Sequence, residues 1–112
     1  MTAVIARREF AESHPAALDN FLFDLKTSIE FVLGDIPAAA EMCERFGVIP
    51  QAALAMHAIP NVNLTMITGE AMRQAIEPYL QVLYAANPQA VGGSMTDEAF
   101  YYIPQTAIGQ LG

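Results

Sequence analysis

The sequence predicts a mainly α fold, a compact bundle of about four to five helices with at most one or two short strands. Three observations lead there. Leu18, Leu22, Leu25, Ile29 and Val32 recur at alternating spacings of four and three, which is one face of a helix. Pro15, Pro37 and Pro50 stand where helical segments would begin, in the first turn, where the missing N–H costs nothing. Strand-like runs are few and short, at residues 2–6 and 64–67.

The run Thr2 to Ala6 is long enough for one strand but has no obvious partner in the chain. An unpaired strand leaves backbone donors and acceptors unsatisfied, so this segment is expected to pair elsewhere or to join a helix. Residues 8–13 suit a short helical turn. Ser13 or His14 then caps a long helix that runs to about Leu33. Phe21, Phe23 and Phe31 widen its apolar surface beyond one stripe, so burial on more than one side is expected, with Asp19, Lys26 and Glu30 mostly off the apolar face.

Gly34-Asp35-Ile36-Pro37 stops that helix and starts the next, with Asp35 as the cap. The new helix runs from Ala38 to Phe46, and Gly47 suits the residue just past its end. A third, short helix is expected from Val48-Ile49-Pro50 to about Ala58. Thr68 then caps a long helix, with Glu70 in the first turn favouring the helix dipole. Its apolar face is Met72, Ala75, Ile76, Tyr79, Leu80, Leu83 and Tyr84. Pro78 should kink it or end it early. Asn87-Pro88 ends it, Val91-Gly92-Gly93-Ser94 is a turn, and Thr96-Asp97-Glu98 leads a capped turn into Phe100-Tyr101-Tyr102. Residues 1–103 read as a single domain and 104–112 as a frayed tail.

Composition narrows the function. The chain has 112 residues, 54% of them apolar and only 15% charged, which argues against disorder. An apolar share this high in so small a domain leaves some of it exposed or covered by a partner. Twelve acids against five bases give a net charge of -7. Nucleic acid is therefore not expected as a partner, because phosphate binding needs clustered Lys and Arg. With one cysteine, Cys43, no intramolecular disulfide is possible. The N-terminal residues do not form a signal peptide, and no apolar run reaches the length of a membrane span.

No catalytic constellation emerges. Cys43 with His57 would make a thiol and a base, yet no third group to orient them is evident, and a small packing thiol is the simpler reading. His14 and His57 match no compact zinc spacing; no metal or other cofactor is expected. Glu41 and Glu44 share a helix face as solvated acids. Gly92-Gly93 is not followed by the Lys-Ser/Thr of a phosphate loop. The short polar side chains of Asn61, Asn63 and Thr65 can meet a small ligand from a loop, or serve only capping and turn hydrogen bonds. Asn63 and Thr65 are the candidate ligand residues. Phe100, Tyr101 and Tyr102 read as aromatics that pin the terminus to the core.

The order of motifs carries a resemblance. The stretch from Ala3 to Pro15, the helix start Asp35-Ile36-Pro37 and the segment Glu44 to Pro50 are similar to the NMT1/THI5-like family of ABC-transporter solute-binding proteins. So are Ala58 to Thr65, Thr68 to Met72, Tyr79 to Tyr84, Asn87-Pro88, Val91-Gly92-Gly93 and Phe100-Tyr101-Tyr102. The resemblance covers roughly residues 3–103 and matches only the final third of that family's chain. It implies the C-terminal, largely helical segment of a type II periplasmic-binding fold. It also implies a non-enzymatic role in small-molecule uptake, a permease and the rest of a solute-binding protein as partners, and a periplasmic or membrane-anchored extracytoplasmic location. Little solute binding is expected from this segment alone. The alternative is a stand-alone helical module that self-associates through apolar surface.

Overall fold

The structure, a computed structural model, describes residues 2–105. It is mainly helical, with five α-helices and no strand among the described residues. They are α1 (Arg8–Ser13), α2 (Pro15–Gly34), α3 (Ile36–Arg45), α4 (Ala52–Ala58) and α5 (Gly69–Ala86). Three short 3₁₀ turns, Ile59–Asn61, Pro88–Val91 and Glu98–Phe100, punctuate the rest. Of the predicted tail, residues 106–112 lie outside the described residues. The described chain forms two units: residues 2–20 with 67–105, and residues 21–66. The boundary falls inside α2.

The unit of residues 21–66 is built from the second part of α2, then α3, α4 and the turn after α4. Asp35 starts α3, accepting from the Ala38 N–H at 3.1 Å, with proline in the first turn. This satisfies one of the orphan donors at the helix start. Gly47 ends α3. It takes φ +70°, its N–H donates to Glu44 O at 3.1 Å, and the Val48 N–H donates to Cys43 O at 2.8 Å. That pair of backward bonds is a Schellman motif, which needs the left-handed conformation glycine adopts at little cost.

The core of this unit is small-sided. Ala39, Ala40, Ala55 and Ile59 are buried, with Val32, Ile36, Cys43, Ile49 and Ala52 packed around them. Alanines at the contact let the α3 and α4 backbones approach closely, but each buries little apolar area.

The other unit joins α1 and the start of α2 to α5 and the segment that follows it. Leu18, Asp19, Thr68 and Tyr101 are its buried residues. No residue of α5 is fully buried. Its half-buried stripe is Met72, Ile76, Leu80 and Leu83, whereas Ala75, Tyr79 and Tyr84 of the predicted face are exposed. Arg73 ties this unit's surface together. It pairs with Glu77 and Glu98, each at 3.5 Å, and its guanidinium lies over the Tyr101 ring at 5.8 Å.

Several expectations are corrected. Residues 2–6 form no strand and stay exposed; nothing among the described residues pairs with them. The third helix starts at Ala52, not near Pro50, because the chain first completes the turn after α3. Pro78 does not end α5, which continues to Ala86; one missing donor is a local loss in an 18-residue helix. Thr68 sits at the cap position of α5 but its side chain makes no cap bond to the helix. Leu64 to Ile67 holds no strand, and only Met66 makes a bridge-type pairing.

The largest correction concerns α2. Its predicted stripe is buried at Leu18 and half-buried at Leu22, Leu25, Ile29 and Val32. Phe21, Phe23 and Phe31, however, are exposed by 47%, 61% and 43%. They lie off the stripe, and the described chain places no element over them.

Candidate functional site

Beside the alanine core, α2, α3 and the turn after α3 enclose an open groove of about 540 Å³. Phe31 and Val32 of α2 form one wall. Met42 and Cys43 of α3, with Phe46 and Val48 beyond its end, form the other. The local fold sets this geometry. Phe31 follows Thr27 and Ser28 by one helical turn, and both hydroxyls turn away to their own helix, Thr27 to Phe23 O at 3.0 Å and Ser28 to Asp24 O at 2.9 Å. Across the groove, Met42 and Phe46 are four residues apart on α3 and its cap. The Schellman turn swings Val48 back beside Cys43.

The groove is apolar and carries no charged side chain in its lining. Phe31, Met42, Phe46 and Val48 are exposed by 43%, 46%, 70% and 71%. A single exposed apolar residue means little, whereas a contiguous set around one concavity is a candidate contact surface. Arg45 lies over the outer face of Phe46 at 5.7 Å, a cation–π contact at the rim. Cys43 is half-buried and is the free thiol of the groove.

The candidate ligand residues lie elsewhere. Asn63 and Thr65 are exposed on the loop between the turn Ile59–Asn61 and Met66, and neither lines the groove. Asn63 takes φ +53°, a left-handed conformation that Asn tolerates better than most residues. Its side-chain amide reaches Asn61 O at 3.4 Å, and Asn61 in turn donates to His57 O at 2.8 Å. Two of the three polar residues thus make the turn bonds expected of short amides.

The remaining singled-out residues also have places. His57 is exposed on α4 and does not line the groove that holds Cys43. His14 sits at the end of α1, stacked on Phe10 at 5.2 Å, with its Nδ1 2.9 Å from the Ser13 hydroxyl. No cluster of three or more His, Cys, Asp or Glu side chains able to hold a metal occurs among the described residues. No helix among them is long and apolar enough to cross a membrane.

Glu44 is more than a solvated acid. Its Oε2 accepts the Ala52 N–H at 2.6 Å, so a side chain of α3 caps the first turn of α4. Asp19 lies off the predicted apolar stripe, yet it is buried. It accepts the Tyr102 hydroxyl on one oxygen, and the Gln105 N–H at 2.9 Å on the other. Tyr101 is buried and its hydroxyl lies 3.0 Å from Thr96 Oγ1. Phe100 is exposed by 54%, so two of the three terminal aromatics pin the chain and the third does not.

No family model, no curated protein and no solved structure matches this chain.

Proposed function

We propose that this chain is a non-enzymatic helical domain that works by association through its apolar surface. The observation behind this reading is the contiguous set of Phe31, Met42, Phe46 and Val48 around one uncharged groove. A core built mainly of alanine gains little from burial, so a domain of this kind profits from covering its large apolar side chains against another surface. No pair of acid and base, and no nucleophile with an orienting partner, is brought together at the groove. The test is the solution mass over a dilution series. An oligomer that dissociates on dilution is expected; a monomer throughout contradicts the reading.

A second reading sets the same domain within an ABC-transporter solute-binding protein, where the rest of that protein would supply the covering surface. The motif order from Ala3 to Tyr102 favours it. In that setting the chain alone is expected to bind sulfonates, nitrate or thiamine precursors weakly or not at all in a calorimetric titration. Tight binding that Asn63→Ala abolishes would place the solute site within this chain and contradict the expected incompleteness.

A further inference from the structure

We infer that the Arg7–Arg8 peptide bond is a built-in cleavage site for a trypsin-like endoprotease, at which the segment ending in Arg7 is released from an otherwise protected helical chain. The inference is independent of the association reading above and uses surface outside the groove.

Conformation is the first argument. An endoprotease reads its substrate as an extended peptide laid along the enzyme's own backbone, so it needs exposed, non-helical residues before the bond it cuts. Residues 2–7 supply them. They lie outside every helix and are exposed throughout, and Arg7 itself is extended at φ -67° and ψ 137°. On the far side of the bond, α1 has six residues, none of them buried. A helix this short has little stability of its own, and exposed backbone bonds open at low cost. The Arg7 carbonyl accepts the Ala11 N–H at 3.1 Å, a terminal helix bond that fraying releases.

Residue type is the second. A trypsin-like specificity pocket ends in a carboxylate and takes an Arg or Lys side chain. The chain has five such residues, Arg7, Arg8, Lys26, Arg45 and Arg73. Lys26 sits in the middle of α2 and pairs with Glu30. Arg73 sits inside α5 and pairs with Glu77 and Glu98. Arg45 is exposed, but it ends α3, and the backbone after it is tied by the Phe46 and Gly47 N–H groups to Met42 O and Glu44 O. Arg8 lies within α1 and is followed by an acid, Glu9. Arg7 is thus the one of the five that stands outside every helix with exposed, extended backbone before it. In the hydrolysis, water takes the place of the Arg8 nitrogen on the Arg7 carbonyl carbon. The C–N bond breaks, leaving a carboxylate on Arg7 and an amine on Arg8. Val4 and Ile5, both exposed, leave with the segment, and no buried residue does.

The experiment treats the full chain with a trace of trypsin, follows intact mass over time, and records circular dichroism of the product. The first product is expected to begin at Arg8. It should form at least about tenfold faster than any product cut after Lys26, Arg45 or Arg73, because cleavage within structure waits on local opening. The product is expected to keep the helical signal of the parent. Arg7→Gln, at an exposed position, should abolish the cut after residue 7 and leave a slower cut after Arg8. Arg8→Gln should keep the cut after Arg7. A first cut after Lys26, Arg45 or Arg73 overturns the inference, as does a cut after Arg7 no faster than the one after Arg45. So does release of the segment from Arg7→Gln at the parent's rate. A product that loses its helical signal overturns the claim that the segment leaves a protected chain behind.

Discussion

Tyr102 donates its hydroxyl hydrogen to the buried carboxylate of Asp19, 83 residues earlier in the chain. The same carboxylate accepts from the Gln105 backbone. The segment around Tyr102 is thereby fastened to the first turns of α2, where the Tyr102 hydroxyl also reaches Pro15 O at 3.3 Å. A carboxylate held this way meets the requirement that buried charge be hydrogen-bonded.

Asp19→Ala is expected to destabilise the fold by about 2 kcal/mol, because it strands the donors of Tyr102 and Gln105. Urea unfolding gives the magnitude. Amide exchange gives the location, with faster exchange expected at Gln105 and little change at Ala55 in the other unit. Unchanged stability and exchange would show that the carboxylate does not hold the segment.

The same pair sets an alkaline limit. Burial pushes the Tyr102 hydroxyl up to about 12, helped by its hydrogen bond to Asp19 and by that residue's negative charge. An ordinary tyrosine ionises near 10. The raised value means that the folded state holds its proton where the unfolded state has released it. This contribution to stability is therefore complete below pH 10 and is lost as pH rises through 12. Absorbance titration of the phenolate band should show one of the four tyrosines ionising late. The late step should vanish in Tyr102→Phe. A late step that survives the substitution assigns it to another tyrosine.

Glu44→Ala is expected to cost about 1 kcal/mol, the usual worth of a helix cap, through loss of the acceptor for the Ala52 N–H. Glu44→Gln keeps an acceptor and should recover most of it. Thermal unfolding of the two variants separates the hydrogen bond from the charge. Equal losses would mean that charge near the start of α4 matters more than the bond.

Local features of the fold were legible in the sequence. The stripe from Leu18 to Val32, the Asp35 cap and the Gly47 terminator each depend on residues within a few positions, so spacing and residue type reveal them. What sequence reasoning missed is non-local. The burial of Asp19, off the apolar stripe, is not legible locally because its partners, Tyr102 and Gln105, come from the far end of the chain. Glu44 looked solvated because its partner opens the next helix. The buried Asp had one faint signal, its position beside Leu18 at the edge of the apolar stripe. The exposure of Phe21, Phe23 and Phe31 was not legible, since a run of aromatics states affinity for apolar surroundings without saying whose. The groove followed the same logic. Its walls come from two helices, and only the Schellman turn that returns Val48 to Cys43 was foreshadowed, by Gly47.

Sedimentation equilibrium of the purified chain over a dilution series, from high micromolar to nanomolar, tests the central claim most directly. The account predicts a reversible oligomer that Phe46→Glu abolishes. A folded monomer of 12.1 kDa at every concentration would contradict it.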